Sequence, residues 1–213
     1  MGKPAHRAIV FDLGKVLINF SLEQACNQIA RVSKCTPDQV KSFLFDDGLE
    51  YQFEAGNFNF ATLHRKFEDH FKTTVDHKAL ELAASDIFTP KDATIKILTE
   101  LHEIHSGSIP FVLLSNTNEI HWKHIEREWN ISKWFDHLIL SFEVRSLKPD
   151  ERIYQEVAVR TGVPLESCFF VDDVIENVLG AKRAGLDAVV FEDARQLRKE
   201  LVTRSLLALS RAT

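Results

Sequence analysis

The sequence predicts an α/β protein, a parallel β-sheet covered by helices on both faces, with a helical insertion near the N-terminus. Three observations predict it. Short apolar runs of four to six residues recur along the chain, several of them ending at a polar residue. Helical patterns separate the later runs, and a gap of about a hundred residues separates the first run from the second. Short, continuously apolar runs read as strands buried on both faces, because a covered parallel sheet removes the usual alternation.

Ala8–Phe11, followed by Asp12, is the first such strand. The stretch after it carries helix signals instead. Ser21 and Gln24 make a capping box for a helix through Val32. Thr36-Pro37-Asp38-Gln39 offers an N-cap with proline at the first helical position. Asn59–Phe71 and His77–Phe88 complete a four-helix set, with Asp46-Asp47, Gly48 and Gly56 in its loops. Residues 19–90 are therefore expected to form a helical insertion, and residues 1–18 with 91–213 the α/β core.

In the core, Asp92–His105 is a helix with Ile95, Leu98, Leu101 and His102 on one face. It leads to the strand Ile109–Leu114, which ends at Ser115. Glu119–Trp129 and Asp150–Thr161 are helices on either side of the strand Leu138–Phe142. Cys168–Val171, before Asp172, and Ala188–Phe191 are the last two strands. In the tail Gln196–Leu209, Leu197, Leu201, Leu206 and Leu209 recur at roughly helical spacing and make a packing helix. Strands alternating with helices give a Rossmann-like parallel sheet.

Composition narrows the function. At 213 residues the chain suits one domain with an insertion, large enough to bury a core without metal or disulfide staples. Its 31 acids against 26 bases lack the basic surplus of a nucleic-acid binder. No apolar run reaches the ~20 residues of a membrane span. Charges and Asp12 interrupt the start where a signal peptide would be apolar. Cys26, Cys35 and Cys168, odd in number and widely spaced, fit a reducing compartment. The expectation is a cytoplasmic monomer or homodimer that acts on a small molecule, with neither nucleic acid nor membrane as partner.

Ligands of open parallel sheets bind outside the carboxyl ends of the strands. Asp12, Ser115 and the pair Asp172-Asp173 stand at three of those ends, and Lys148-Pro149 follows a fourth strand. Carboxylates, a hydroxyl and an ammonium around one crevice suit a phosphate ester with Mg²⁺. The hard cation takes carboxylate and carbonyl oxygens, while Lys148 and Ser115 hold the phosphoryl oxygens. A carboxylate there can attack phosphorus through an aspartyl phosphate. Taken singly, each residue is an ordinary turn, cap or surface charge; their joint order is the signal.

Other features read as structure. His121 and His124 lack a third ligand at convincing spacing and are expected on the surface. Cys26 and Cys35 are expected as small buried hydrophobes. Phe43, Phe45, Phe53, Phe58 and Phe60 are mostly the insertion's core, with a few near Tyr51–Gly56 facing substrate.

At four places the sequence resembles the haloacid dehalogenase superfamily: Phe11-Asp12-Leu13-Gly14-Lys15-Val16-Leu17, Leu114-Ser115-Asn116-Thr117-Asn118, Lys148-Pro149, and Asp172-Asp173 with Asn177, Gly180-Ala181 and Ala184-Gly185. The string Lys148 to Tyr154 is similar to the alpha-helical-cap subgroup that contains sugar-1-phosphate phosphatases and the phosphatase domain of soluble epoxide hydrolases. The resemblance implies Mg²⁺ and a small phosphorylated metabolite, a sugar 1-phosphate being one candidate. It makes Asp12 the nucleophile and a metal ligand, and Ser115 and Asn116 the phosphoryl binders. Lys148 would offset the charge of the phosphate and of the nucleophile Asp12. Asp172, Asp173 and the backbone carbonyl of Gly14 would complete the metal site, with either aspartate as the direct ligand. The acidic fourth motif fits the metal-free dehalogenase branch less well.

Gly14 departs from the family pattern, which commonly places an acid/base Asp there. Losing such a group typically costs ~10²–10⁴-fold in rate. Three outcomes stay open. The substrate has a good leaving group, which Gly in the glucose-1-phosphatase-like relatives favours; or Asp173 or Glu54 substitutes; or the protein is a catalytically impaired phosphate-binding or regulatory member. A phosphoryl transfer to a sugar hydroxyl ranks last, because it needs the missing group.

Overall fold

The computed structural model describes residues 6–46 and 48–208. From the N-terminus, β1 (Ala8–Phe11) turns into β2 (Ile18–Phe20). The helices α1 (Leu22–Ser33), α2 (Pro37–Lys41), α3 (Leu49–Glu54), α4 (Phe60–Phe71) and α5 (His77–Ser85) follow, with a π-turn at Ser42–Asp46. Then come β3 (Phe88–Pro90), α6 (Asp92–His105), β4 (Phe111–Ser115), α7 (Glu119–Trp129), β5 (His137–Leu140) and α8 (Ser141–Val144). The chain continues through α9 (Glu151–Thr161), β6 (Cys168–Asp172), α10 (Ile175–Ala184), β7 (Asp187–Val190) and α11 (Ala194–Thr203).

Five strands form a parallel sheet in the order β5-β4-β1-β6-β7. Side chains alternate across it, as the pleat requires. Ile9 lies level with Phe111 and Phe169, and all three pack beneath Ile97, Leu98, Leu101, Leu197 and Leu201 of α6 and α11. Val10 lies level with Val112 and Phe170 and packs against Ile153, Tyr154 and Val157 of α9 and Val178 of α10. Both faces of the central strands are covered, so β1, and β4 and β6 up to their closing Ser115 and Asp172, carry apolar residues at successive positions. The chain runs outward from β1 through β4 to β5 on one side and through β6 to β7 on the other. That reversal opens a crevice at the carboxyl ends of β1, β4 and β6.

The insertion leaves and rejoins this core along an antiparallel ribbon, in which Ile18 pairs with Pro90 and Phe20 with Phe88. Its helices bury a cluster of their own around Val40, Phe43, Phe53, Phe60 and Phe67. Thr36 is the expected N-cap of α2, with Pro37 in its first turn, and together with Gln39 it forms a full capping box. On α1 only half the box forms: the Ser21 hydroxyl accepts the Gln24 N–H, while the Gln24 amide donates to the Asp86 carbonyl across the insertion.

Several expectations need correction. The four-helix set is five helices and a π-turn, because α3 spans six residues, too few for periodicity to register. Gly48 is its N-cap, and Asp46 closes the π-turn; Asp47 lies outside the described residues. The helix begun at His77 stops at Ser85, since Phe88 pairs across the ribbon. β5 ends at Leu140, and Ser141–Val144 is a single helical turn. On α6, Ile97 and not Ile95 joins Leu98 and Leu101 in the core. α11 ends at Thr203; Leu206 packs beyond it, and Leu209 lies outside the described residues. His124 is buried, not on the surface. Among the described residues, no helix is long and apolar enough to cross a membrane.

Candidate active site

The floor of the crevice is a buried charge cluster. Asp12 follows β1, with its backbone N–H bound to the Val171 carbonyl of β6. The Lys148 ammonium donates to Asp12 Oδ1 at 2.6 Å, to Asp172 Oδ2 at 2.6 Å and to the Leu114 carbonyl at 3.0 Å. All three of its donors are thereby used. Burial opposes the charge on Lys148, but Asp12 and Asp172 more than offset it and hold its pKa above the usual lysine range. Burial pushes the Asp12 carboxyl up to about 7, with Lys148 pulling it down and Asp172 pushing it further up. Burial, and then Asp172, also raises Asp173.

Backbone groups and amides fix the cluster. Asn116 donates to the Lys148 carbonyl at 3.1 Å and accepts the Lys148 N–H at 2.9 Å, a two-point clamp from the end of β4. The Lys148-Pro149 peptide is cis, and Gly180 of α10 packs directly on it: a Cβ there would lie 2.8 Å from Pro149 Cβ and 3.0 Å from its carbonyl oxygen. Asp172 accepts from the Asn177 amide at 3.1 and 3.2 Å and from the Val174 N–H at 2.8 Å. The Ser115 hydroxyl, nearly buried, donates to the Asn116 carbonyl at 3.3 Å.

Asp12, Asp172 and Asp173 each offer a carboxylate oxygen, and these lie within 4.8 Å of one another. Three carboxylates against one ammonium leave negative charge that a hard divalent cation fits. The Gly14 carbonyl accepts the Val16 N–H at 2.6 Å, which leaves its second lone pair for another partner. A Cβ on Gly14 would lie 3.1 Å from Phe20 Cε1, so the Phe20 ring fills the side from which a longer residue would project.

A cavity of about 350 Å³ lies over this floor. Gly14, Ser115 and Asn116 line its base, Phe20 and Phe88 come from the ribbon, and Leu44, Phe45, Glu50, Tyr51 and Glu54 come from the insertion. Glu50 and Glu54 stand one turn apart on α3. Burial, reinforced by Glu54, pushes Glu50 up to about 8, although the Asn118 amide donates to it at 3.0 Å. Burial pushes Glu54 up to about 7, with the Lys148 charge opposing. Among the described residues, the Glu54 carboxyl takes no hydrogen bond. His121 also lines the cavity; burial drives it down to about 4, so it is neutral.

The insertion is fastened to the floor near Glu54. The Ser141 hydroxyl accepts the Thr117 N–H at 2.9 Å and lies 2.7 Å from the Glu54 carbonyl, to which it donates. Gly56 holds a φ of 68°, and a Cβ there would sit 2.1 Å from the Phe142 carbonyl oxygen, so only glycine fits. The Phe60 N–H donates to Glu119 of α7.

The structure thus brings together Asp12, Gly14, Ser115, Asn116, Lys148, Asp172 and Asp173. Sequence reasoning missed Glu50, Asn118, His121 and Ser141. The available signal was an acidic pair at i, i+4 with no basic partner inside a phenylalanine-rich segment.

Residues 6–185 match the model of the haloacid dehalogenase-like hydrolases. The chain belongs to this family. Over 67 residues, 32% of the chain, it is 37% identical to the phosphatase MT3486 of Mycobacterium tuberculosis. It is 24% identical to an (S)-2-haloacid dehalogenase of Pseudomonas putida over 84% of this chain and 81% of that one. The match spans about a third of the length of the mycobacterial phosphatase and of a second curated relative. The fold is similar to that of the HAD family enzyme bt-2542 of Bacteroides thetaiotaomicron in its complex with magnesium and inorganic phosphate. That similarity has a TM-score of 0.79 at 24% identity and covers 91% of this chain and 99% of that one.

Proposed function

We propose that this hydrolase is a Mg²⁺-dependent phosphatase that acts on a small phosphorylated metabolite through an aspartyl phosphate on Asp12. The carrying observation is the acidic trio Asp12, Asp172 and Asp173 at the strand ends with Lys148 locked between two of its members. Magnesium and inorganic phosphate in the Bacteroides relative support the same chemistry. The trio weighs against a metal-free dehalogenase, because unneutralised carboxylates at this spacing repel one another.

Asp12, Asp172, Asp173 and the Gly14 carbonyl would hold the cation, which would supply neutralisation of the phosphoryl oxygens. Asp12 attacks phosphorus and the ester bond breaks; water then attacks the phosphorus of the aspartyl phosphate and restores the Asp12 carboxylate. Lys148 aims Asp12 and offsets its charge. The Ser115 hydroxyl holds a phosphoryl oxygen. Asn116, with its amide committed to Lys148, would contribute through its backbone N–H. Residues 19–90 serve as a cap over a core of 1–18 and 91–213.

Phosphate release from p-nitrophenyl phosphate and α-glucose 1-phosphate, with Mg²⁺ and with EDTA, tests this reading. Release should need the metal and fall about 10⁴-fold or more in Asp12→Asn. Wild-type-like activity in the variant would overturn the nucleophile. A specific observation favours a second reading, an impaired phosphate-binding protein: position 14 carries no acid, and a Cβ there would lie 3.1 Å from the Phe20 ring, which would have to give way to admit one. Mg²⁺ binding by folded protein with no release from either ester would select it.

A further inference from the structure

Given the phosphatase reading above, the cavity whose base is Leu13 and Gly14, next in the chain after Asp12, with Ser115 and Asn116, is where the leaving group would lie. Its walls are Phe20, Leu44, Phe45, Phe88 and Ile125, and the groups that could meet a ligand's polar atoms from above are few. Glu50 is already engaged by Asn118, and His121 is neutral with its Nδ1 3.0 Å from the same amide. Three lining side chains, the Glu54 carboxyl and the Tyr51 and Thr117 hydroxyls, take no hydrogen bond among the described residues, and of these only Glu54 can deliver a proton near neutral pH. A polyhydroxylated body would set most of its hydroxyls against these apolar walls, with few groups to pair them, whereas an apolar body gains by leaving water.

An apolar alcohol is a poor leaving group, since its alkoxide must gain a proton as the ester bond breaks. Gly14 supplies none. Glu54 sits on the opposite wall, close enough to the floor to feel the Lys148 charge, and Ser141 pins its backbone. The charged and titratable groups around it are Glu50 on its own helix, Lys148 from the floor and His121 from α7.

We propose that the chamber takes the body of an apolar alcohol, that the substrate is its phosphate monoester, and that Glu54 protonates the departing oxygen. As the bond from Asp12 to phosphorus forms, the ester P–O bond breaks, and its electron pair stays on the leaving oxygen, which takes the Glu54 proton. Glu54, now a carboxylate, takes a proton from the water that attacks the aspartyl phosphate, so that Asp12 and phosphate separate and Glu54 is protonated again. Burial of Glu54 supports the scheme by keeping its proton available near neutral pH.

The test is phosphate release with Mg²⁺ from 3-methylbutyl phosphate, glucose 6-phosphate and p-nitrophenyl phosphate, by the wild type, Glu54→Gln and Glu54→Asp. The 3-methylbutyl ester should exceed the sugar ester, which has a leaving group of similar basicity, by at least tenfold in kcat/KM. Glu54→Gln should lower kcat/KM, which covers only the steps up to departure of the leaving group, by ~10²–10⁴-fold on the alkyl ester and by less than tenfold on the aryl ester, because p-nitrophenolate leaves unaided. Glu54→Asp should restore part of the alkyl activity. A sugar ester cleaved as well as the alkyl ester overturns the substrate class. Equal losses of kcat/KM on alkyl and aryl esters, or no loss on either, overturn the proton-donor role. No release from any ester by folded wild type overturns the phosphatase reading, and this inference with it.

Discussion

The floor and the roof of the cavity handle charge in opposite ways. On the floor every donor of Lys148 is taken, and both oxygens of Asp172 are bonded, within a cluster locked by Asn116, Asn177 and the strand ends. On the roof two carboxyls stand in apolar surroundings, one with a single amide partner and the other with none among the described residues. The floor is organised before substrate arrives, as groups that stabilise developing charge must be. The roof keeps protons that can still be exchanged. On the reading proposed above, the two halves of the chemistry sit on different parts of the chain, the phosphoryl group with the core and the leaving group with the insertion.

Neutralising the floor's cation should produce the largest effect. Lys148→Met keeps the volume but leaves Asp12 and Asp172 facing each other unpaired. Removing one partner of a buried pair costs about 3–5 kcal/mol, and urea unfolding should register that loss together with the loss of phosphatase activity. A smaller effect should follow Gly180→Ala, which drives a methyl into Pro149 and the Lys148 turn. A destabilisation of about 1–3 kcal/mol is expected, with kcat falling because the ammonium moves while every charged group is retained. Unchanged stability and kcat would show that the turn is not held by this contact.

The roof should give the smallest effect and the opposite sign. Glu50 keeps its proton up to about pH 8 in the fold, against an ordinary value of 4.5. Between those values the folded chain binds more protons than the unfolded one, so its stability declines as pH rises. Glu50→Gln keeps the acceptor for Asn118 and removes that decline. Its melting temperature should match the wild type near pH 4 and exceed it at pH 8, by at least the about 2–4 °C that corresponds to 1 kcal/mol in a chain of this size. Parallel pH profiles for the two proteins would refute the buried, protonated state of Glu50.

Much of the floor was legible because it sits at strand ends, and buried parallel strands announce themselves as runs such as Ala8–Phe11 and Cys168–Val171. Asp12, Ser115 and Asp172 each follow or close such a run, so topology alone brings them together. The roof lies on α3, six residues between two glycines, whose role depends on which core loop it meets. No periodicity reports that Ser141, at the end of β5, will reach Glu54, or that Asn118 will reach Glu50. The ribbon was invisible for the same reason: Phe88–Pro90 extends helix-like text until Ile18–Phe20 is available to pair with it.

The Ser141 and Gly56 contacts also set how the cavity can admit a ligand. They anchor one end of α3 to the core at Glu54 and Phe142, with no side chain between Gly56 and the carbonyl it faces. An opening that preserves them can only pivot about that end, so the gap widens toward the π-turn and Tyr51, whose ring is largely exposed. Solvent would enter and leave along that rim while Glu54, near the pivot, travels least. On the reading proposed above, a phosphate ester would enter body-last, its phosphate seated while its far end still lies along that rim.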